Sequence, residues 1–218
     1  MKAVILILAA TLFTGCATIS PHDAMQADVD QSVSIIESFE KIPETAIPPA
    51  VIRSARGLAI LTVTKAGFIG SARGGTGIVV ERTAKGWSGP SAIGTGGLGF
   101  GFQAGAQVTE FVIILNTPAA VDAFAKQGNV TLGGNLSITA GPVGRNAEAD
   151  VGLQAAMYSY SRSQGLFAGL SLEGTVIGTR DELNTGYYGR PVTAEEILSG
   201  KVQPPAGAQT LLSVLSKY

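Results

Sequence analysis

The 218-residue chain holds one cysteine and one histidine, and that scarcity removes most familiar catalytic chemistry. A single thiol cannot form an internal disulfide. With His22 the sole histidine, near the N-terminus, the body of the chain has no Ser-His-Asp triad, and metal sites built on Cys and His are excluded. Charge is equally thin: 14% of residues are charged, with 15 basic against 16 acidic, so no global positive field draws nucleic acid. Long apolar runs are missing after the first residues. The longest later candidate, Phe111 to Leu115, is far below the roughly 18 residues of a membrane helix.

What is present is glycine, 29 residues of it, beside a hydrophobic content of 45%. That mixture argues against disorder and for a glycine-punctuated β fold in one domain, with chain enough to bury a substantial core. The N-terminus reads differently from the rest. Lys2 supplies a positive start, Ala3 to Leu12 an apolar stretch too short to span a bilayer, and Thr14-Gly15 small residues beside a cut site. The segment Leu12-Phe13-Thr14-Gly15-Cys16 resembles a bacterial lipobox, with Phe13 where that pattern usually has Leu. The resemblance implies a mature chain that begins at Cys16 and carries acyl chains there. A plain secretory signal or a buried apolar helix are the other readings, and neither accounts for the position of the sole thiol. Several acyl chains, each buried methylene contributing about 0.8 kcal/mol, would hold the protein on a membrane. Ala17 in place of Asp after Cys16 resembles the outer-membrane sorting pattern, so the domain is expected in the cell envelope, facing the periplasm. Cutting after residue 15 removes Lys2 and no acid, so 14 basic residues remain against 16 acidic.

The chain divides into a signal peptide at 1–15, a tether at 16–23 and one domain at 24–218. The domain has a helical part at 24–56, a β-rich core at 57–178 and a second helical part at 179–218. Met25, Val29, Val33, Ile36 and Phe39 recur at helical spacing and predict an amphipathic helix over Ala24–Lys41 packed on the domain. A short helix follows over Ala50–Arg56, ended by Gly57 in a left-handed conformation. Strands are expected at 58–63, 77–81, 100–107, 109–115 and 130–139, bounded by glycine-containing turns. Residues 150–161 and 166–177 read as a hairpin about Ser163-Gln164-Gly165. Thr117-Pro118 opens one helix, Thr193-x-x-Glu196 is a capping box for another, and Leu211, Leu212 and Leu215 mark a last one. The fold class is α+β: a mainly antiparallel, curved or barrel-like sheet with peripheral helices.

Among motifs, Gly94-x-Gly96-x-x-Gly99 satisfies a dinucleotide pattern, but it runs into strand-like alternation where a helix is required. Ser38-x-x-Lys41 lacks its companion motifs downstream. Glu110 stands alone among neutral residues, and no partner carboxylate is assignable from spacing. No enzyme, cofactor or metal is therefore expected. A basic, glycine-rich segment remains, Lys65-Ala-Gly-Phe-Ile-Gly-Ser-Ala-Arg73-Gly-Gly-Thr-Gly, flanked by Arg53, Arg56, Arg82 and Lys85. Its glycines allow close approach to an anionic headgroup, with Lys65 a point charge and Arg73 a bidentate fork, and Phe68, Phe100 and Phe102 are candidate membrane contacts. Equally, the glycines serve tight turns and strand curvature while the charges are merely solvated.

That segment, Gly57-Leu-Ala-Ile and Tyr158-Ser-Tyr-Ser-Arg-Ser-Gln-Gly-Leu-Phe-Ala-Gly-Leu-Ser-Leu-Glu-Gly resemble the SYLF family. Trp87-x-x-Pro90, Gly101-Phe-Gln-Ala-Gly-Ala-Gln, Gly141-Pro-Val-Gly-Arg145, Asn184-x-x-Tyr187-Tyr188-Gly189 and Glu196-Ile-Leu-Ser-Gly200 follow in the family's order. The likeness runs from about Ile42 to Gly200. It implies a lipid-binding module, since eukaryotic members engage phosphoinositides and, in fungi, actin. Headgroup contact would fall to Lys65, Arg73, Arg56, Arg145 and Arg162. Eukaryotic members use a basic amphipathic N-terminal segment, whereas Ala24–Lys41 is acidic, so acylated Cys16 is expected to replace it. A bacterial envelope offers no actin, which leaves a phospholipid membrane as the expected partner. A second candidate is an envelope protein docking on Trp87, Tyr187 and Tyr188.

Overall fold

The computed structural model describes residues 19–41, 46–67, 70–100, 105–126, 129–132, 138–141, 155–165 and 175–218. Cys16, Phe68, Phe102 and Arg145 lie outside them. Helix α1 spans Pro21–Lys41, beginning three residues before the sequence pattern suggests. Its start is set by Ser20, whose hydroxyl accepts the Asp23 N–H at 3.1 Å and donates to the Asp23 carboxylate at 2.8 Å. Met25, Val29, Ile35, Ile36 and Phe39 turn one face inward, and Val33 sits only partly buried beside them. Helix α2, Pro49–Ser54, then leads into the sheet.

Strands β1 (Gly57–Gly67), β2 (Gly70–Thr83), β3 (Gly86–Trp87), β4 (Ser91–Phe100) and β5 (Gly105–Leu115) come first. Helix α3 (Pro118–Lys126) precedes the short strands β6 (Asn129–Thr131) and β7 (Ile138–Ala140), then β8 (Met157–Gly165) and β9 (Val176–Thr179). Helices α4 (Asp181–Tyr188), α5 (Ala194–Leu198) and α6 (Gln209–Leu215) end the chain. The sheet order is β6-β9-β4-β2-β1-β5-β8-β7, with β3 hanging from β2. All pairings are antiparallel except β7 with β8. The architecture is α+β, a curled, mostly antiparallel half-barrel flanked by helices, as the sequence predicts.

Alternation along the strands builds two cores, one on each face of the sheet. Leu58, Ile60, Ile78, Val80, Val112 and Ile114 face α1, α2, α4 and α6. Ala59, Leu61, Val79, Ile93, Phe111 and Ile113 face the other way, where Val121 and Phe124 of α3 pack on them. This second cluster also gathers Val130 from β6, Ile177 from β9, Met157 from β8 and Ile138 from β7. Residues from both edges of the sheet meet in it, so it is the inside of the curl.

Several elements depart from the sequence reading. Gly57 opens β1 and has no left-handed conformation; α2 ends instead at Ala55, in extended geometry. The stretch 130–139 does not make one strand: β6 pairs with β9 and β7 with β8 near opposite ends of the sheet. The turn expected at Ser163-Gln164-Gly165 is not there either, and residues 150–154 and 166–174 of the expected hairpin lie outside the described residues. Strand β8 runs through Ser163-Gln164-Gly165 because it zips along β5 from Leu115↔Met157 to Gln107↔Gly165, and that long ladder outweighs a local turn signal. The capping box is as predicted, with Thr193 and Glu196 bonded reciprocally, and Gly189 and Gly200 take the left-handed caps, at φ 68° and 70°.

Polar contacts tie the helical layer to the sheet. Thr76 Oγ1 donates to Asp28 Oδ1 at 2.7 Å, and burial pushes the Asp28 carboxyl up against that bond. Gln31 Nε2 donates to Glu110 Oε1 at 3.3 Å, while Arg162 Nε and Nη2 donate to Glu110 Oε2 at 3.1 and 2.7 Å. Asn184, wholly buried on α4, accepts the Ala92 N–H at 2.7 Å and donates to Ser91 Oγ at 3.1 Å, stitching α4 to β4. Its place in the Asn184-x-x-Tyr187-Tyr188-Gly189 motif is thus structural.

At Gly77 a Cβ would press on the Ile60 carbonyl oxygen and come within 2.6 Å of Leu61 Cα, whereas at Gly74 it would meet nothing within 4 Å. Gly77→Ala should cost about 1–3 kcal/mol in urea unfolding, and Gly74→Ala should stay within about 0.5 kcal/mol. Arg162→Ala, which breaks a charge-assisted pair, should cost about 1.5 kcal/mol. Arg56→Ala, at an exposed position, should again fall within about 0.5 kcal/mol.

Candidate functional site

Eight residues separate Lys65 and Arg73, yet the β1–β2 hairpin sets them directly opposite each other. Directly paired residues of antiparallel strands share a face and hold their Cβ atoms about 5 Å apart. Parity with Leu61 and Val63 puts both on the inside of the curl. The same register opposes Lys65 to Gln107 of β5, and Arg73 to Gly97 of β4. Four neighbouring strands therefore carry one cross-strand row, Gly97, Arg73, Lys65, Gln107. A Cβ at Gly97 would lie 2.9 Å from Arg73 Nε and 3.6 Å from Cζ, so the guanidinium lies across that glycine. Arg73 and Lys65 are half-buried, and Gln107 is 1% exposed.

Below this row the inner face turns from basic to hydroxylic to apolar. The next row holds Thr95, Gly75, Val63, Thr109 and Ser163. Gln107 Nε2 donates to Thr109 Oγ1 at 3.0 Å, and Thr109 Oγ1 lies 2.9 Å from Ser163 Oγ. Below them lie Ile93, Leu61 and Phe111, and the α3 plug. The half-barrel thus has a dry end and a polar, basic end.

The other expected headgroup residues are not brought there. Arg56 precedes β1 at the opposite end of the sheet, where its N–H donates to the Leu115 carbonyl. Nine residues of strand separate it from Lys65, about 30 Å at 3.3 Å per residue. Arg82 is committed at that same far end. It donates to the carbonyls of Ala55 and Ile52 at 3.1 and 3.0 Å and stacks on Trp87 at 4.2 Å. Arg162 lies on the outer face, held by Glu110; sequence spacing alone left Glu110 without a partner, because β5–β8 pairing supplies it. Arg145 lies outside the described residues.

The aromatic docking residues are also spent internally. Tyr187 is 3% exposed and donates to Gln26, Tyr188 donates to the Pro90 carbonyl, and Trp87 Nε1 donates to the Leu215 carbonyl. Burial pushes the Tyr187 hydroxyl up to about 12. An open groove of about 610 Å³ lies instead on the outer face, floored by Gly74, Gly94, Gly96 and Gly178 and bordered by Asn129 and Arg180. The Arg180 guanidinium there is paired to Glu182 at 2.9 Å. Among the described residues no three His, Cys, Asp or Glu side chains converge as a metal site. No helix among them is long and apolar enough to cross a membrane.

Comparison with known proteins agrees with these motifs. A family model described as Ysc84, Las17-binding protein actin regulator, matches residues 96–218. An SH3 domain-containing protein of Schizosaccharomyces pombe is 49% identical over an alignment covering 88% of this chain and 47% of that protein. The human SH3 domain-containing YSC84-like protein 1 is 48% identical, over 89% of this chain and 59% of its own length. LAS seventeen-binding protein 3 of Saccharomyces cerevisiae is 45% identical, over 88% and 44%. The chain thus spans about half the length of the curated relatives it matches, and their names refer to SH3 domains and to binding, not to catalysis. A model match over more than half of the chain, joined to identities of this size across nearly nine tenths of it, makes this chain a member of the Ysc84 family, the SYLF family of the sequence motifs.

Proposed function

We propose that this chain is a lipid-anchored bacterial envelope protein whose Ysc84 domain binds anionic phospholipid, without catalysis, through Lys65 and Arg73. The observation that carries the reading is their direct pairing on the inner face. Like charges opposed across strands repel, and a phosphate set over the pair turns that repulsion into two charge-assisted contacts, one of them bidentate at Arg73. The glycine beneath Arg73 lets the guanidinium lie flat, and the hydroxyls of Thr109 and Ser163 continue the polar surface inward. The anchor rests on the lipobox-like segment ending in Cys16, and with it the outer-membrane, periplasm-facing location. Acylation would hold the domain at the bilayer, so headgroup binding need supply only orientation and lipid preference.

A second reading is favoured by the outer-face groove and by a family description and one yeast relative's name that record Las17 binding: a protein partner docking on the glycine floor. The two readings use opposite faces of the sheet, so mutations separate them.

The decisive assay is flotation of the chain from Ala17 onward with neutral vesicles or vesicles containing phosphatidylglycerol. We expect salt-sensitive flotation with the anionic vesicles only. Changing Lys65 and Arg73 to Glu should abolish it, and Arg56→Glu should leave it unchanged. Equal flotation by the Lys65→Glu, Arg73→Glu double variant would refute the site, and a stable co-purifying protein without flotation would favour the second reading.

A further inference from the structure

The Lys65–Arg73 row ends in a group that the anion does not use. Gln107 is Cα-paired with Lys65, shares its face, and is 99% buried by its 1% exposure. One end of its amide is spent: Nε2 donates to Thr109 Oγ1 at 3.0 Å, and Thr109 Oγ1 lies in turn 2.9 Å from Ser163 Oγ, where its own hydroxyl can donate. The other end is idle, since Oε1 is buried and receives no hydrogen bond from any described residue. A buried amide oxygen has two lone pairs and is seldom left without a donor. The fold has thus placed two cations and one unfilled acceptor in line, with strands about 4.8 Å apart, so the three side chains span about 10 Å. That is the size of a small phosphodiester headgroup.

From this row we infer that the site is selective for a phosphodiester carrying a neutral hydroxyl, the chemistry of a phosphoglycerol headgroup, with Gln107 Oε1 accepting the hydroxyl proton. The inference rests on the headgroup reading above and specifies its ligand. The phosphate pairs with Arg73 and Lys65, and the hydroxyl reaches one strand further to Gln107. An ammonium donor fits poorly, because it would stand beside the Lys65 ammonium, whose Cβ is about 5 Å from that of Gln107 across the strand pair. A phosphate ester without a free hydroxyl satisfies the cations and leaves Oε1 bare. Gln107 is in this account a specificity-determining contact, not a source of attraction, and its loss removes preference before affinity.

The test uses the full chain with Cys16→Ser, which cannot be acylated, titrated by NMR with soluble dihexanoyl lipids. Phosphatidylglycerol is compared with phosphatidylmethanol, which has the same phosphodiester charge and no hydroxyl. The wild-type row should bind phosphatidylglycerol about three- to tenfold more tightly, the worth of one well-placed hydrogen bond. Gln107→Leu should bind both lipids alike at the phosphatidylmethanol level, and Gln107→Met, another apolar replacement, should behave the same way should the leucine variant fail to fold. Equal wild-type affinity for the two lipids overturns the inference and leaves the anionic-lipid reading standing. A preference that survives at Gln107→Leu overturns the role of Gln107. Binding to neither lipid overturns the headgroup reading itself. Competition by deacylated glycerophosphoglycerol decides the source: displacement assigns the site to a soluble headgroup, and its failure beside lipid binding assigns it to a membrane, both in keeping with a hydroxylated phosphodiester.

Discussion

The structure hangs on the register of one strand. β1 is paired along its whole length with β2 on one side and β5 on the other, from Gly57 to Gly67. Because side chains alternate with period two, that single register decides which residues enter each core. Leu58 and Ile60 meet the helical layer, and Ala59, Leu61 and Val63 meet the inside of the curl. A slip of one residue would exchange the two sets and carry Lys65 to the outer face. Gly77 enforces the fit, since a side chain there would press on the Ile60 carbonyl across the ladder. Arg73, Lys65 and Gln107 share a row for the same reason that Val79, Ala59 and Ile113 share a core.

The two faces then divide the labour. The outer face is occupied by α1, α2, α4 and α6, tied down by Asp28–Thr76, Gln31–Glu110 and Asn184–Ala92. The inner face is plugged by α3 at one end and carries its charge and hydroxyls at the other. Hydrophobic burial, about 1.5–3 kcal/mol for each fully buried Leu, Ile or Phe side chain, supports a polar end that contributes little to stability. Repulsion between Lys65 and Arg73 is small beside it, so the fold tolerates the pair.

Much of this was legible in the chain. The α1 periodicity, the Thr193–Glu196 capping box and Thr117 ahead of α3 all depend on neighbours within a few residues, where local physics decides. The sequence pattern ends one strand at 63 and begins the next at 77, so the pairing of Lys65 with Arg73 emerges only because β1 runs on to Gly67 and β2 already starts at Gly70. Arg162 shows the opposite case. Its partner Glu110 is 52 residues away, and only the β5–β8 ladder reveals that it braces the fold. The same ladder defeated the turn signal at Ser163-Gln164-Gly165. Arg56 misled for a different reason: nearness in sequence to Lys65 means nothing along an extended strand, where nine residues cover about 30 Å. Gln107 closes one of the family motifs, yet an amide within a strand declares a role only through its neighbours.

In the proposed function the basic end of the β1–β2 hairpin, and not the Arg56 end, meets the anionic surface. Hydrogen exchange of the chain from Ala17 onward, with and without phosphatidylglycerol vesicles, tests it directly. Slower exchange confined to the distal parts of β1 and β2 around Lys65 and Arg73 and to β5 around Gln107 is the predicted result. Protection at Arg53–Arg56 and the β2–β3 turn, or along the outer face of α1, with no change around Lys65, would contradict it.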